Sequence, residues 1–390
     1  MSPLRRAIRA GLRCAVGAGL PARAVGWRGL RDRSLAEAAA ALPGARLEEV
    51  HPPRVHANPL PRGVGSASEL PADAGWWGYA MADVPARAAE ATQVAELGPA
   101  EILWYRDPEQ NDDFFPAIVA GRGSKLRMRE VRFRPRHERL LMGNGLPAPR
   151  EVPEAVWFLE RVWHNHSHWL AAHLPKLLLL RGLGRLKNVL LPARMPPAHE
   201  ASLRLLGLPE SAFLRFDEDR PLRVGRLTAL STDRFAPELV GLIPRALALA
   251  DAPAPTRRVW VSRERATRRR LLGVAALHRV LDDHGFERVV FEELDLPAQA
   301  ALMRETGVLA GPHGAGLTNM LFAPRGLEVV ELADPGFPNP NFYALGAALG
   351  HRHRFVPARP VGDRPPVEQD LAVEPGALAA ALATLEEAPA

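Results

Sequence analysis

Apolar residues along the C-terminal half form two alternating patterns, short continuous runs and stripes with helical spacing. The runs, each predicted as a strand, are 259–262, 289–294, 307–312, 327–332 and 354–357. The stripes, each predicted as a helix, are 267–284, 297–306, 341–349 and 374–387. Because strand and helix alternate, the sequence predicts a parallel, doubly wound sheet here.

Residues 96–247 show a similar but less regular alternation. Strands are predicted at 115–121, 131–135 and 188–192, and helices at 153–181 (as a pair), 197–206 and 236–249. The alanine- and proline-rich segment 248–258 is predicted to link the two α/β regions. Two such domains would leave a ligand cleft between them, at the carboxyl ends of the strands.

Composition excludes several classes of protein. Of the 390 residues, 47% are hydrophobic and 24% charged, which excludes wholesale disorder. A single cysteine, Cys14, excludes a disulfide framework and an all-cysteine metal site. Residues 1–95 are rich in Pro, Gly and Ala, and their weak periodicity predicts no substantial core.

The formal net charge of +6 is concentrated at the N-terminus. Residues 1–33 hold eight arginines and one aspartate, so the remaining chain is nearly neutral, and nucleic acid is not expected as a partner. No apolar run approaches the roughly 20 residues of a membrane span. The stretch 7–20 is interrupted by Arg9 and Arg13, so no signal peptide is predicted and the expected location is the cytoplasm.

The segment GPHGAGLTNMLF, residues 311–322, is the strongest local motif. A predicted strand runs into His313-Gly314-Ala315-Gly316, and a helix is predicted from about Leu317. Glycine permits close backbone approach, and free amides at a helix start bind phosphate. The sequence therefore favours a phosphate site over the alternative, a tight strand–helix turn without a ligand.

An arginine-rich segment, 257–270, lies around the first strand of the same region. Arg263 follows that strand, and Arg268, Arg269 and Arg270 are expected at the next helix start. The guanidinium group suits phosphate oxygens, whereas the alternative is a solvated basic surface.

Histidines cluster in WHNHSHWLAAHLPKLLLL, residues 163–180. His164 and His168 are four residues apart and are expected on one helix face. No Cys, Asp or Glu accompanies them, so metal binding is not favoured, and His173 is predicted as a core residue. A histidine in the cleft could instead act as a general base. Glu331, at a predicted strand end, could bind ribose hydroxyls or be a surface carboxylate.

The blocks HWL…LPKLLLL and VSR…GPHGAGLTNMLF…VVEL resemble glycosyltransferase family 61 over roughly residues 150–360. That family includes bacterial capsular polysaccharide enzymes, plant xylan pentosyltransferases and protein O-linked N-acetylglucosaminyltransferases. The resemblance implies an α/β fold of the GT-B type, in which two Rossmann-like domains face each other across a cleft. It also implies a nucleotide-sugar donor, UDP-linked by expectation, an inverting reaction, no other cofactor and no essential metal.

The resemblance also assigns roles to individual residues. It places His313, Gly314, Gly316, Thr318 and Asn319 around the diphosphate, Arg263 at phosphate and Glu331 at the nucleoside. Ala315 of the same loop and Arg269 of the arginine-rich segment are also expected to bind the donor. His168 matches the histidine of the His-Trp-Leu block and is left as the general base. His164 and Trp169 would line the acceptor side.

Two positions depart from the family pattern. Ala172 stands where an acidic residue is frequent, and Gly273-Val274 replace a frequent Asn-Glu pair. The first change removes an obvious carboxylate base. The second raises the question of altered donor choice or weak activity.

Four segments are predicted: an N-terminal extension at 1–95, an acceptor-side domain at 96–250, a nucleotide-sugar domain at 256–362 and a tail with a helix at 363–390.

The expected function is sugar transfer to a glycan or lipid-linked glycan in surface polysaccharide synthesis. The alternatives are a non-catalytic binding protein of the same fold and another nucleotide-dependent α/β enzyme, such as an epimerase or dehydrogenase. The basic segment 1–33 has an amphipathic pattern that would suit contact with an anionic inner-membrane surface.

Overall fold

Two large β-sheets organise the computed structural model. The structure describes residues 31–75, 77–110, 113–121, 124–128, 131, 133, 137, 141 and 146–386. The predicted amphipathic segment therefore lies outside the described residues up to position 30, and so does most of the predicted strand at 131–135.

Strands and helices are numbered in chain order. The strands are β1 (Arg31–Arg33), β2 (Arg46–His51), β3 (Arg54–Ala57), β4 (Ala86–Ala89), β5 (Thr92–Glu96), β6 (Ala100–Asp107), β7 (Asp113–Ala120), β8 (Ser124–Leu126), β9 (Arg150–Trp157), β10 (Val189–Pro192), β11 (Phe213–Phe216), β12 (Leu222–Ser231), β13 (Arg257–Val261), β14 (Leu271–Leu272), β15 (Glu287–Val289), β16 (Thr306–Pro312), β17 (Glu328–Ala333), β18 (Arg352–Pro357), β19 (Arg359–Val361) and β20 (Asp370–Ala372). The α-helices are α1 (Leu35–Ala41), α2 (His166–His168), α3 (Leu174–Gly182), α4 (Pro197–Leu205), α5 (Pro237–Val240), α6 (Leu242–Ala246), α7 (Val274–Asp283), α8 (Leu296–Arg304), α9 (Asn341–Leu349) and α10 (Pro375–Glu386). Trp169–His173 is a π-helical turn, and the 3₁₀ helices are Ala67–Glu69, Met81–Asp83, Pro108–Gln110, Glu210–Ala212, Leu249–Asp251, Phe291–Glu293, Ala315–Phe322 and Pro366–Glu368.

The first sheet is mixed and has eight strands. Its main path is β11-β10-β9-β12-β5-β2, and β6 joins β12 to β7. Strands β9 to β12 are parallel to one another, whereas β2, β5, β6 and β7 pair antiparallel. The carboxyl ends of β9 and β12 therefore lie at the same edge, and the segments containing His168 and Arg234 follow from that edge.

The second sheet is fully parallel, with the order β15-β13-β16-β17-β18. The chain thus reverses direction across the sheet between β13 and β16, which are neighbours. In doubly wound sheets, ligands bind at such a switch point, outside the carboxyl ends of the strands. The doubly wound parallel sheet predicted from the sequence is present, and its switch point lies next to Arg263 and His313.

Apolar packing joins the two sheets. One cluster of buried side chains extends from Trp157 in the first sheet through Leu317 and Met320 of the 3₁₀ helix to Leu309 in the second sheet. A separate cluster, including Trp260 and Leu378, covers the opposite face of the second sheet beneath α7 and α10. The two sheets consequently share a core rather than having two isolated ones.

Most predicted elements of the second half are found, with three corrections. The predicted helix at 267–284 begins only at Val274, since Leu271–Leu272 form β14, which pairs with β20. The predicted strand at 289–294 is β15 followed by the 3₁₀ helix Phe291–Glu293. The arginines at 268–270 therefore lie in a loop rather than at a helix start.

The prediction of paired helices at 153–181 is wrong in its first part. Residues Arg150–Trp157 form β9, which pairs with β12 over seven register positions and also contacts β10. Trp157 and Ala155 are fully buried there, since neighbouring strands and helices cover both faces of this part of the sheet. The strand begins with exposed polar positions and ends in the buried apolar stretch 155–157, so it does not show the strict alternation that would distinguish a strand from a helix.

The predicted boundary at residue 95 cuts through the first sheet. Strand β5 pairs with β2 on one side and with β12 on the other, so residues before position 95 belong to the same sheet as residues after it. Leu35 and Ala38 of α1 are also part of the shared core, contrary to the expectation of no core in this region. The tail likewise packs into the second half through β20 and α10.

Candidate active site

Arg263 lies immediately after β13, at the switch point of the second sheet. Its Nε donates to the Arg269 carbonyl at 3.1 Å and its Nη2 to the Arg268 carbonyl at 2.9 Å. These bonds fix the guanidinium beside Gly314, where a Cβ atom would come within 2.6 Å of Nη1. Burial lowers the pKa of Arg263, against an opposing effect of Glu292, but the group remains a cation. The structure thus holds a half-buried positive charge against the glycine loop.

Arg269 adds a second cation to this place. Its backbone has φ of 53°, a left-handed conformation unusual for a non-glycine residue, and its Nη1 donates to the His313 carbonyl at 3.4 Å. Burial, together with the charge of Arg263, lowers the pKa of Arg269 to about 10. The charge of Arg263 thus disfavours that of Arg269, and an anion bound beside both guanidinium groups would relieve this repulsion.

Arg268 and Arg270 point elsewhere. Arg268 pairs with Glu368 at 2.6 Å, and Arg270 pairs with Asp370 at 2.7 Å, so both bind the C-terminal tail. Of the arginine-rich segment, the structure therefore brings Arg263 and Arg269 to the glycine loop.

His313 is oriented by a buried carboxylate. Its Nδ1 donates to Glu331, whose other oxygen accepts from His353 Nε2 at 2.9 Å. Burial alone would raise the pKa of Glu331, but the two imidazoles outweigh it and lower that pKa to about 2. Glu331 has no exposed surface, so the expectation that it binds the nucleoside is wrong. It positions His313 instead, as a carboxylate orients histidine in catalytic dyads.

The other nitrogen of His313 faces Asn339. The Asn339 amide nitrogen donates to His313 Nε2 at 2.9 Å, and the Asn339 oxygen accepts from the Asn341 backbone amide at 3.0 Å. The second bond fixes which way the Asn339 amide is turned. His313 Nε2 is therefore an acceptor in this arrangement, with the ring proton on Nδ1.

The rest of the glycine motif supports the loop from beneath. Ala315 begins the 3₁₀ helix, and a Cβ at Gly316 would lie 2.5 Å from Val261 Cγ1, so only glycine lets the loop approach β13. Thr318 is fully buried and donates to Ser167 Oγ at 2.8 Å. Asn319 is 1% exposed, and neither of its amide atoms has a hydrogen-bond partner among the described residues. Thr318 and Asn319 consequently lie below the loop, which corrects the expectation that both contact the diphosphate directly.

His168 is held by an arginine of the first half. Arg234 Nη1 donates to His168 Nδ1 at 3.1 Å, and Arg234 Nη2 donates to Asn341 Oδ1 at 2.6 Å. Since arginine can only donate, Nδ1 must be the acceptor, and the neutral ring then has its proton on Nε2. In this arrangement neither nitrogen of His168 can take the proton of the hydroxyl group that receives the sugar. The structure therefore argues against His168 as general base.

Other histidine-segment residues serve mainly in packing. Trp169 is fully buried and donates to Ser202 Oγ at 2.8 Å, so the expectation that it lines the acceptor side is wrong. His173 is also fully buried and hydrogen-bonds the backbone of Glu160 and His168, as its predicted core role requires.

His164 precedes the helix instead of sharing a face with His168, because α2 begins at His166 with Asn165 as its cap. The His164 Nε2 atom lies 3.7 Å from Asp113 Oδ1, and the side chain is partly exposed. Ala172 is buried, so a carboxylate at this position would point into the core in this structure.

Several site residues were missed by sequence reasoning. Asn339, Asn341 and Arg234 all follow the carboxyl end of a strand, β17 or β12, and position after a strand is the signal that could have found them. Tyr79, whose hydroxyl donates to Asn341 Oδ1 at 2.9 Å, belongs to the region 1–95 for which no substantial core was predicted. Burial raises the pKa of Tyr79 to about 12, so it is present as a neutral donor.

The described part of the chain contains neither a metal-binding cluster nor a membrane-spanning helix. No group of three or more His, Cys, Asp or Glu side chains there is arranged to hold a metal ion. Among the helices of that same part, none combines the length and hydropathy needed to cross a bilayer.

Comparison with known proteins agrees with the predicted resemblance. Residues 166–330 match the family described as Glycosyltransferase 61, so the resemblance is confirmed over this region. An EGF domain-specific O-linked N-acetylglucosamine transferase of Drosophila melanogaster is 41% identical over 74 residues, which is 19% of this chain and 14% of that protein. A β-1,2-xylosyltransferase of Oryza sativa subsp. japonica is 38% identical over 87 residues, 21% of this chain and 15% of that protein. The matches cover about a seventh of these relatives, and they support a glycosyltransferase role.

Proposed function

Because residues 166–330 match glycosyltransferase family 61, we propose that this chain transfers a sugar from a nucleotide-sugar donor to a hydroxyl group of a glycan. The observation that carries the proposal is the pair of half-buried guanidiniums, Arg263 and Arg269, at the glycine loop of the switch point. A diphosphate is the anion for which such a place is suited, since it offers several oxygens to fixed donors.

The proposed reaction is a displacement at the anomeric carbon with inversion. The bond from the anomeric carbon to the phosphate oxygen breaks, a bond to the acceptor oxygen forms, and the acceptor proton leaves. Negative charge grows on the diphosphate, where Arg263, Arg269 and the first amides of the 3₁₀ helix would stabilise it. Because these groups supply the positive charge, the proposal requires no metal ion.

Glu331 and His353 hold the imidazole of His313 next to these proposed phosphate-binding groups. If the ring takes up a proton, both nitrogens become donors, and Glu331 stabilises the resulting charge. His313 would then donate through Nε2 to a phosphate oxygen in exchange for its contact with Asn339. The shared Asn339 contact links donor binding to the segment that carries Asn341.

The acceptor would enter between the two sheets from the side of the first half, in a GT-B arrangement with donor in the second half. The donor in this proposal is a UDP-linked sugar. By their names, one relative transfers N-acetylglucosamine and the other xylose. We further propose a glycan or lipid-linked glycan acceptor in surface polysaccharide synthesis. The basic segment 1–33 would place the enzyme on the cytoplasmic face of the inner membrane.

A thermal-shift screen of UDP-, GDP- and CMP-linked sugars in EDTA tests the donor site. A ligand that binds the folded state raises the melting temperature by mass action. Arg263→Ala is expected to abolish the shift, and Arg265→Ala is the matched control, since Arg265 is exposed and pairs with Glu293. Binding that disappears in EDTA, or survives unchanged in Arg263→Ala, would contradict the proposed site.

A second function, donor binding without catalysis, is favoured by two observations. Ala172 stands where a carboxylate is frequent in the family, and Arg234 donates a hydrogen bond to Nδ1 of His168. Isothermal calorimetry that detects donor binding, together with no nucleotide release over a panel of acceptors, would support it. A redox enzyme is a weaker alternative because HGAG is not the GxGxxG pattern of dinucleotide sites, and titration with NAD would test it.

A further inference from the structure

Transfer to a hydroxyl requires a group that accepts the hydroxyl proton, and two obvious candidates are excluded. Position 172 is an alanine, and the lone pair of His168 Nδ1 is engaged by Arg234. We infer that His166, two residues earlier, is the general base of the proposed reaction. This inference rests on the proposed function and assigns its missing proton acceptor.

The helix that begins at His166 packs against the 3₁₀ helix Ala315–Phe322, which follows the donor loop. Ser167 Oγ accepts from Thr318 Oγ1 at 2.8 Å, which ties the first turn of α2 to the 3₁₀ helix that follows Gly314. Asn165 caps that turn by accepting from the His168 backbone amide at 3.2 Å. The backbone of residue 166 is thus fixed on both sides at the junction of the two halves.

The imidazole of His166 is available for chemistry. It is half-buried and makes no hydrogen bond or ion pair with the residues that the structure describes. Its ring stacks against His199 of α4, with centroids 6.3 Å apart and an angle of 25° between the planes. Contact with His199 restricts the ring while leaving its nitrogens for a hydroxyl group, which His168 in its bond to Arg234 cannot do.

Burial favours a neutral His166 ring. Burial lowers its pKa, and Glu292 on the second half opposes this in part. His199, which stacks on His166, is also buried. Burial, with smaller effects of His166 and His164, lowers the pKa of His199 to about 3, so His199 is uncharged at neutral pH. A neutral imidazole is the form that accepts a proton, and Glu292 can stabilise the imidazolium that results.

The step balances without an additional reactant. The acceptor O–H bond breaks and its proton goes to a nitrogen of His166, while the oxygen forms its bond to the anomeric carbon. The electron pair of the broken glycosyl–phosphate bond leaves with the diphosphate. The imidazolium then returns its proton to solvent.

The test measures donor binding and turnover separately, with the nucleotide sugar that gives the largest thermal shift. Nucleotide release to water and to a glycan panel is followed in wild type, His166→Ala, His166→Gln and His168→Ala. His284→Ala is the control, because His284 ends α7 and is bonded to the Val280 carbonyl of its own helix. His166→Ala is expected to bind the donor within about twofold of wild type and to lose about 100-fold or more in kcat.

Two further readouts distinguish a base from a structural residue. The acidic limb of the kcat/KM profile should disappear in His166→Ala and persist in His168→Ala, and added imidazole should restore turnover in His166→Ala. Wild-type kcat in His166→Ala, or an unchanged acidic limb, would overturn the inference while leaving the donor site intact. Absence of donor binding by the wild-type chain would instead overturn the proposed function and this inference with it.

Discussion

Each half of the molecule buries a carboxylate near the carboxyl edge of its sheet, but the two carboxylates have different partners. Glu331, at the end of β17, accepts from His313 and His353. Asp233, just beyond β12, accepts from Arg87 at 2.7 Å and from the Phe235 backbone amide at 3.3 Å. Both carboxylates have no exposed surface.

The difference lies in what the partner can do when the carboxylate is lost. Arginine keeps its charge at any pH that a protein tolerates, so Arg87 depends on Asp233. An imidazole carries no obligatory charge, so loss of Glu331 leaves hydrogen-bonding groups without a partner but no permanent cation without its carboxylate. The first half thus contains a fixed ion pair, and the second half contains a carboxylate that accepts hydrogen bonds from two imidazoles.

Asp233→Ala should produce the largest loss of stability, about 3–5 kcal/mol, because it leaves the buried Arg87 guanidinium without its carboxylate. Urea denaturation at neutral pH measures the loss. The double change Arg87→Met with Asp233→Leu is the control and should recover much of it, since no unpaired charge then remains. A double variant as unstable as Asp233→Ala would contradict this account.

Glu331→Gln should cost less, about 1–3 kcal/mol, because it leaves no permanent buried cation unpaired and the amide can replace part of the hydrogen bonding. The same denaturation experiment provides the comparison. A loss greater than that of Asp233→Ala would remove the proposed distinction between the halves. In the donor assay, the variant should bind nucleotide sugar more weakly, since His313 loses the carboxylate that orients it.

Acid should reduce the effect of Glu331→Gln. The histidines lower the pKa of Glu331 from 4.5 to about 2, so its ionised form stabilises the fold above pH 4.5 and this contribution is lost as the pH falls towards 2. The free-energy difference between wild type and Glu331→Gln should therefore shrink over that interval. Unfolding curves collected from pH 6 downwards test this prediction. A free-energy difference between wild type and Glu331→Gln that grows on acidification would contradict it.

Arg62→Ala should have the smallest effect of the three substitutions, about 1–2 kcal/mol. Arg62 makes a bidentate pair with Glu328, at 2.9 and 2.7 Å, but is partly exposed, and Glu328 keeps Arg352 as a second partner. Thermal unfolding followed at both halves is the measurement, with Arg265→Ala as the surface control. Equal melting temperatures for Arg62→Ala and wild type would show that this contact contributes little.

The second sheet could be predicted from the sequence largely because its strands are parallel and buried. Runs such as 307–312 and 327–332 stand between clear helices, and the glycine motif marks the switch point. The first sheet was harder because antiparallel strands from positions before 95 complete it. Such pairings depend on residues far apart in the chain, for example Leu230 opposite Val94.

The candidate site shows the same limit. Arg263 and His313 were predicted, since each follows a strand of the regular half. The role of Glu331 was not, because His353 comes from the next strand, β18, and no local pattern places it against the carboxylate. His168 was favoured as base because the sequence does not show that Arg234, 66 residues later, donates to its ring.

Residues of the N-terminal region contact the second half directly, so the predicted linker at 248–258 does not by itself hold the two halves together. Tyr343 donates to the Pro59 carbonyl at 2.7 Å, the Arg62 amide to the His353 carbonyl at 2.7 Å, and Tyr79 to Asn341. Cutting the peptide between positions 252 and 256 would therefore leave both fragments associated. The molecule is accordingly a candidate for a split protein, in which two separately produced pieces reassemble into the folded chain.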